Sequence, residues 1–220
     1  MNQNQILDTI KEKFKYAIEV KISDDVYNIC LNFAEKVNTT TKYEDCGQFN
    51  MDKRKIDNLI GKIAEYSVYA VLDKIGKEHN FKMNLPDIEI YKGRKKSWRS
   101  DLVIDAEDGY VDIGVKAQSL SQAIKYSLSG TFQIASFRKD EVFKHPNEVI
   151  FLCMVDDMGG DYKRIMLLPP KKICEIIFAD PKVPRFKGIK TCYYAKDNFE
   201  QKELKDWMET FGIKKFGSII

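Results

Sequence analysis

Two histidines and no closely spaced pair of cysteines leave this 220-residue chain poorly equipped for zinc. Cys30, Cys46, Cys153, Cys174 and Cys192 show no C-x-x-C spacing, and neither His79 nor His145 lies beside one of them. Cys30, Cys153 and Cys174 stand inside apolar runs and read as reduced core thiols. No run of 18 apolar residues occurs, so no membrane span is expected. An N-terminal signal segment is also missing, and a cytoplasmic location is expected. Repeats, low-complexity tracts and linker-like stretches are absent, which predicts one domain over 1–220. A strong charge of either sign is lacking too. With 36 basic and 33 acidic residues the net charge is +3, too little by itself to define a nucleic-acid binder.

What is present is ordinary material for a folded core: 44% hydrophobic and 31% charged residues, enough to bury a core without staples. The charge is concentrated locally. "YKGRKKSWRSD" (91–101) gathers five cations around Trp98, immediately before an acidic residue.

The first part of the chain has helical spacing. Ile6, Ile10, Phe14 and Ala17 predict a helix over 4–20; Ser23 caps a second that carries Val26, Ile29, Cys30, Phe33, Ala34 and Val37. A polar loop (38–50) precedes a third helix, 51–76, for which Gly76 is the expected C-cap. The period then changes. Segments 87–93, 101–109 and 110–118 alternate, and Ala106-Glu107-Asp108-Gly109 makes the last two a hairpin. A short helix (121–128) follows, then the continuous apolar run "NEVIFLCMVDD" (147–157), expected of a central strand covered on both faces. Strands at 162–169 and 190–195, a short helix from Pro170 and a final helix capped by Asn198 complete the pattern. The class is α/β, a mixed sheet flanked by helices, with an N-terminal helical region (1–50) and a core (51–220).

One strand is chemically unusual. In "GYVDIGVKAQS" (109–119) alternation puts Val111, Ile113, Val115 and Ala117 on one face and Asp112, Gly114, Lys116 and Gln118 on the other. Asp101, across the hairpin, is within cross-strand reach of this polar row. A carboxylate and a lysine held there suit a divalent ion and a phosphate: magnesium prefers carboxylate oxygens, and a lysine steers water and stabilises a pentavalent phosphorus. The bland reading of the same residues is a surface ion pair worth under about 1 kcal/mol.

Asp101, the hairpin and "GVKAQS" resemble the PD-(D/E)xK nuclease superfamily, type II restriction endonucleases in particular. The preceding "LIGKIAEYSVYAVL" resembles the first core helix of these enzymes, with Gly61 followed four residues on by Glu65. Glu65 lies at the margin of the apolar stripe beside Leu72, where an acid can face a cleft over the sheet. The resemblance spans about residues 56–156. It implies a restriction-endonuclease-like sheet, Mg²⁺, double-stranded DNA as substrate and a homodimer, with the helices of 1–37 as candidate dimer surface. It also implies that Asp101 binds the metal, Glu65 assists, and Lys116 acts on the attacking water, with Gln118 supporting the lysine or a water at the metal.

Gly114 departs from the pattern, which has an acid two residues before the lysine. Three accounts stay open: Asp112 and Glu65 supply the missing ligand, the glycine is an inactivating change, or the fold has kept DNA binding and lost cleavage. The literal "PD" at Pro86-Asp87 ranks below Asp101, because its segment is not the hairpin partner of 110–118. For DNA contacts the candidates are Arg94, Lys95, Lys96 and Arg99, which would line a cleft and hold phosphates. Gln133, Arg138 and Lys139 are suited to base edges or phosphates. Solvated loops remain the alternative for both groups, and for "RFKGIK" (185–190). His145 reads as a loop residue before Pro146. The competing functions are a repair or junction-resolving nuclease, a cleavage-deficient DNA-binding protein, and an interaction protein whose hairpin charges merely face solvent.

Overall fold

A computed structural model describes residues 3–40, 50–79, 81–90, 100–106, 109–126, 128, 131–134, 149–179 and 190–193. Its elements are α1 (Gln3–Lys13), β1 (Ile18–Lys21), α2 (Asp24–Thr40), α3 (Met51–His79), β2 (Lys82–Met83), β3 (Leu102–Ala106), β4 (Gly109–Ser119) and α4 (Leu120–Lys125). Then follow β5 (Thr131–Ile134), β6 (Val149–Val155), β7 (Arg164–Leu167), β8 (Lys171–Lys172), a 3-10 turn (Ile173–Glu175), β9 (Ile177–Ala179) and β10 (Lys190–Tyr193). The main sheet runs β1-β7-β6-β4-β3-β2, with β8 also on β6; β5, β10 and β9 form a smaller one. β4 and β6 are parallel and the other main-sheet pairs antiparallel, so this is an α/β fold on a mixed sheet.

Helices cover both faces of the sheet. Cys30 and Ala34 of α2 and Ile63, Ala64, Val68 and Leu72 of α3 pack on Leu102, Ile104, Ile113, Val115, Phe151 and Cys153. On the other face, Ile6, Ile10 and Phe14 of α1 and Leu120 of α4 pack on Ile150, Leu152 and Met154. The seven residues of β6 are all buried, as its unbroken apolar run requires of a strand sandwiched between two helical layers. β3 and β4 pair as the expected hairpin, from Ala106↔Gly109 to Leu102↔Ile113. At the far end of β4 the chain turns into α4. There Ser119 Oγ accepts the Gln122 N–H (3.3 Å) and Asp157 Oδ1 accepts the Ser121 N–H (2.8 Å), satisfying donors the first helical turn cannot.

Several local expectations are corrected. The first helix stops at Lys13, and 18–21 is a strand paired with β7, Ile18↔Leu167 to Lys21↔Arg164. Tyr16 takes φ 73°, which breaks the helix, and β-branched Ile18 and Val20 then pack on the α3 side of the sheet. The described part of region 1–50, residues 3–40, adds an edge strand to its two helices, which cover opposite faces of the sheet. Glu19 fastens it, accepting from Lys11 Nζ (2.8 Å) and Arg164 (2.9 Å); these partners lower its carboxyl below the ordinary range against the opposing effect of burial. The second helix runs through Asn38–Thr40, which the sequence assigned to the loop. Residues 87–90 form no strand, and the segment from Pro170 becomes β8, the 3-10 turn and β9. Cys174 is exposed, whereas Cys30 and Cys153 are buried with their thiols pushed up by desolvation, Cys30 to about 12. The final helix capped by Asn198 lies outside the described residues.

Gly76 is not a cap either. The helix continues to His79, and the Phe81 N–H folds back onto the Gly76 carbonyl (3.2 Å). A Cβ at Gly76 would stand 2.7 Å from the Phe81 carbonyl oxygen and 2.9 Å from its ring, whereas at Gly61 nothing lies within 4 Å. Opposite outcomes are therefore expected in urea unfolding. Gly61→Ala gains roughly 0.5–1 kcal/mol of helix propensity, while Gly76→Ala loses about 1–2 kcal/mol because overpacking exceeds that gain. Equal shifts for the two variants would show that Phe81 yields freely.

Candidate active site

Where the hairpin ends, its strands part. β3 pairs with β4 only as far as Leu102↔Ile113, but β4 runs on to Ser119, paired there with β6 from Ile113↔Val149 to Ser119↔Val155. Past Ile113, β4 therefore has main-chain groups on the β3 side that no ladder partner among the described residues takes up. Asp101 meets that need. Its Oδ2 accepts the Val115 N–H at 2.7 Å, which places the carboxylate against the residue preceding Lys116. The hydrogen bond spans 14 residues of chain and closes the base of the opening between the strands.

Across the apolar layer, α3 contributes Glu65. Its side chain is 16% exposed, at the margin of the buried stripe, as the helical wheel predicted. Burial lifts its carboxyl from 4.5 to about 7. The ammonium groups of Lys62 and Lys116 pull it down, and the Asp101 carboxylate pushes it up. Glu65, Asp101 and Lys116, which stand on three separate elements, are thus brought within electrostatic reach of one another. Asp112 stands two positions before Gly114 on the same strand face, opposite Val103, and is half-buried. Gly114 is buried beside Ile150 of β6, and Gln118, half-buried, stands beside Met154.

Lys62 was not anticipated. Its Nζ donates to Glu65 Oε2 (2.5 Å) and to the Asp87 carbonyl (2.6 Å), and lies 4.5 Å over the Phe33 ring. The i, i+3 spacing of Lys62 and Glu65 was a legible signal; the partners Phe33 and Asp87 were not, being distant in sequence. Asp87 meets Lys62 through its main-chain carbonyl, and its Oδ1 accepts the Glu89 N–H (2.8 Å). Its segment is anchored to β3 by Asn84, whose Oδ1 accepts the Val103 N–H at 2.6 Å.

Among the described residues, no three His, Cys, Asp or Glu side chains converge as a ready metal cage. None of the described helices is long and apolar enough to cross a membrane. Arg94, Lys95, Lys96, Arg99, Arg138, Lys139 and His145 lie outside the described residues. Gln133 lies on β5 opposite Thr191, its side chain outside them as well.

Fold and site together define an α/β protein with an acid–lysine–acid constellation where a hairpin opens. No protein-family model matches the chain, and no characterised protein or solved structure matches it either.

Proposed function

We propose that this chain is a Mg²⁺-dependent double-strand DNA endonuclease of the type II restriction class, on a restriction-endonuclease-like form of the α/β sheet. The observation that carries the reading is the Asp101 carboxylate closing over the Val115 N–H beside Lys116, with Glu65 under the influence of both charges. The donor chemistry fits magnesium. Asp101 and Glu65 offer hard carboxylate oxygens, and Mg²⁺ is ordinarily held by one or two carboxylates together with waters and substrate phosphate, so a three-acid cage is not required. Asp112, the third candidate ligand, stands with Lys116 on the strand face turned away from α3 and Glu65. When bound, Mg²⁺ supplies an acidified water and neutralises charge developing on the scissile phosphate.

The rest belongs to the chain's own side chains. Lys116 Nζ orients the attacking water and stabilises negative charge gathering on the phosphorus. Asp101 fixes the adjacent strand through the Val115 N–H, so Lys116 projects from a rigid backbone. Gln118 supports the lysine from the next outward position. Arg94, Lys95, Lys96 and Arg99 hold DNA phosphates, and Gln133, Arg138 and Lys139 contact phosphates or base edges, which makes binding strongly salt-dependent. Cutting both strands requires two sites, supplied by a homodimer whose two-fold axis matches a palindromic target.

A second reading, a cleavage-deficient DNA-binding protein on the same fold, is favoured by Gly114 at the position of the usual acid. Plasmid cleavage with Mg²⁺ or Mn²⁺, comparing this chain with Gly114→Glu, separates the two. Cutting by the unaltered chain is the expected result, and a fixed fragment pattern distinguishes a restriction enzyme from a junction-resolving or repair nuclease. Cutting by Gly114→Glu alone identifies the glycine as the lesion in a nuclease site. Salt-sensitive binding with no cutting by either chain hands the function to the second reading, and absence of DNA binding at low salt defeats both.

A further inference from the structure

Lys62 has no part in the mechanism above, yet its ammonium is fully engaged. α3 carries it one turn before Glu65, and only 8% of its side chain is exposed. Three elements replace its hydration shell: the Glu65 carboxylate on α3, the Asp87 carbonyl on the segment after β2, and the Phe33 ring on α2. A surface ion pair would leave the ammonium in water. This one occupies a carboxylate oxygen that a divalent ion would need.

We propose that Lys62 is a resident cation of the candidate metal site, one that keeps the protein alone from holding a divalent ion firmly and so makes metal entry depend on the DNA phosphate. The formal charges of Glu65 and Asp101 are cancelled by those of Lys62 and Lys116. A divalent ion approaching Glu65 and Asp101 in the free protein therefore meets two carboxylates whose charge two ammonium groups offset, and one of the two already accepts a hydrogen bond from an ammonium at 2.5 Å. A bound phosphate supplies the missing negative charge and further oxygen ligands at the moment they are needed. Lys116 is required for catalysis, so Lys62 is the cation that can be removed without touching the water-steering group.

The proposal rests on the nuclease reading of the hairpin, and its test separates the two. Mn²⁺ binding is measured from the free-ion electron paramagnetic resonance signal, with metal-stripped protein and no DNA. Lys62→Met is expected to bind Mn²⁺ roughly tenfold more tightly than the unaltered chain, and Lys62→Arg, which keeps the charge, to match the unaltered chain. Equal or weaker binding by Lys62→Met overturns the proposal and makes Lys62 a positioning residue for Glu65. Should Lys62→Met fail to fold, the unaltered protein still decides: a phosphorothioate DNA duplex is expected to tighten Mn²⁺ binding at least roughly tenfold, and the same affinity with and without it overturns the proposal. Plasmid cleavage on the same preparations completes the separation. Cleavage with unaltered Mn²⁺ affinities removes the role of Lys62 alone; tighter Mn²⁺ binding by Lys62→Met with neither DNA binding nor cleavage keeps Lys62 as the cation that holds the metal off, and removes the nuclease reading together with the phosphate's part in metal entry.

Discussion

Lys116→Ala is expected to lower DNA cleavage by roughly 10²–10⁴-fold while leaving urea unfolding close to that of the unaltered protein. The lysine stands on the face of β4 opposite the one that packs Ile113 and Val115 against α3, so truncating it opens no cavity in that core. A companion pair at Asp101 separates charge from hydrogen bonding. Asp101→Asn keeps an oxygen to accept the Val115 N–H, so it should retain stability and lose cleavage. Asp101→Ala leaves that N–H without its acceptor and costs about 1–3 kcal/mol in addition. Plasmid nicking and urea melts on the same preparations check all three. Undiminished cutting by Lys116→Ala removes that residue from the mechanism; equal stability of the two Asp101 variants shows that the Asp101–Val115 hydrogen bond does not hold the fold.

The second large effect is a pH dependence of stability that originates at Glu65. Its carboxyl is raised from 4.5 to about 7 in the folded protein, chiefly by burial. The native state therefore holds this proton more tightly than the unfolded chain does. The resulting stabilisation is complete below pH 4.5, declines as the unfolded carboxyl ionises, and is lost once pH passes about 7. The shift corresponds to at most about 3 kcal/mol, with the Lys62 pair already opposing it. Glu65→Gln has no such proton to lose. Its stability relative to the unaltered protein should accordingly improve by up to about that amount between pH 4.5 and 7.5. Urea unfolding at several pH values, in the presence of a chelator, gives the comparison. Parallel pH profiles for the two proteins would show that Glu65 ionises in the fold as it does in water.

The walls of the site were legible because they are local. The period of two in 110–118, the turn residues at 106–109 and the unbroken apolar run of 149–155 are short-range properties, and the structure keeps both strands and pairs Ala106 with Gly109. Glu65 was legible at the stripe margin for the same reason: a helical wheel needs only neighbouring residues. Where local signals conflicted, the chain order did not decide. Ile18 and Val20 suit a strand and also continue a helical spacing, and pairing with β7 settles the matter. Gly76 has the composition of a cap, but the return of Phe81 onto the helix sets the close contact that makes glycine necessary there.

By itself, then, the sequence determined an α/β class, the hairpin that presents Asp101 and Lys116, and the buried strand beside it, all through hydrophobic period and turn chemistry. Only the tertiary structure decided that β3 and β4 part at Ile113, that Asp101 takes up the Val115 N–H, and that an ammonium from α3 rests on Glu65 beneath the Asp87 carbonyl. Such contacts join elements far apart along the chain, and both hydrogen bonding and Coulomb attraction depend on distance in space, which no local pattern encodes.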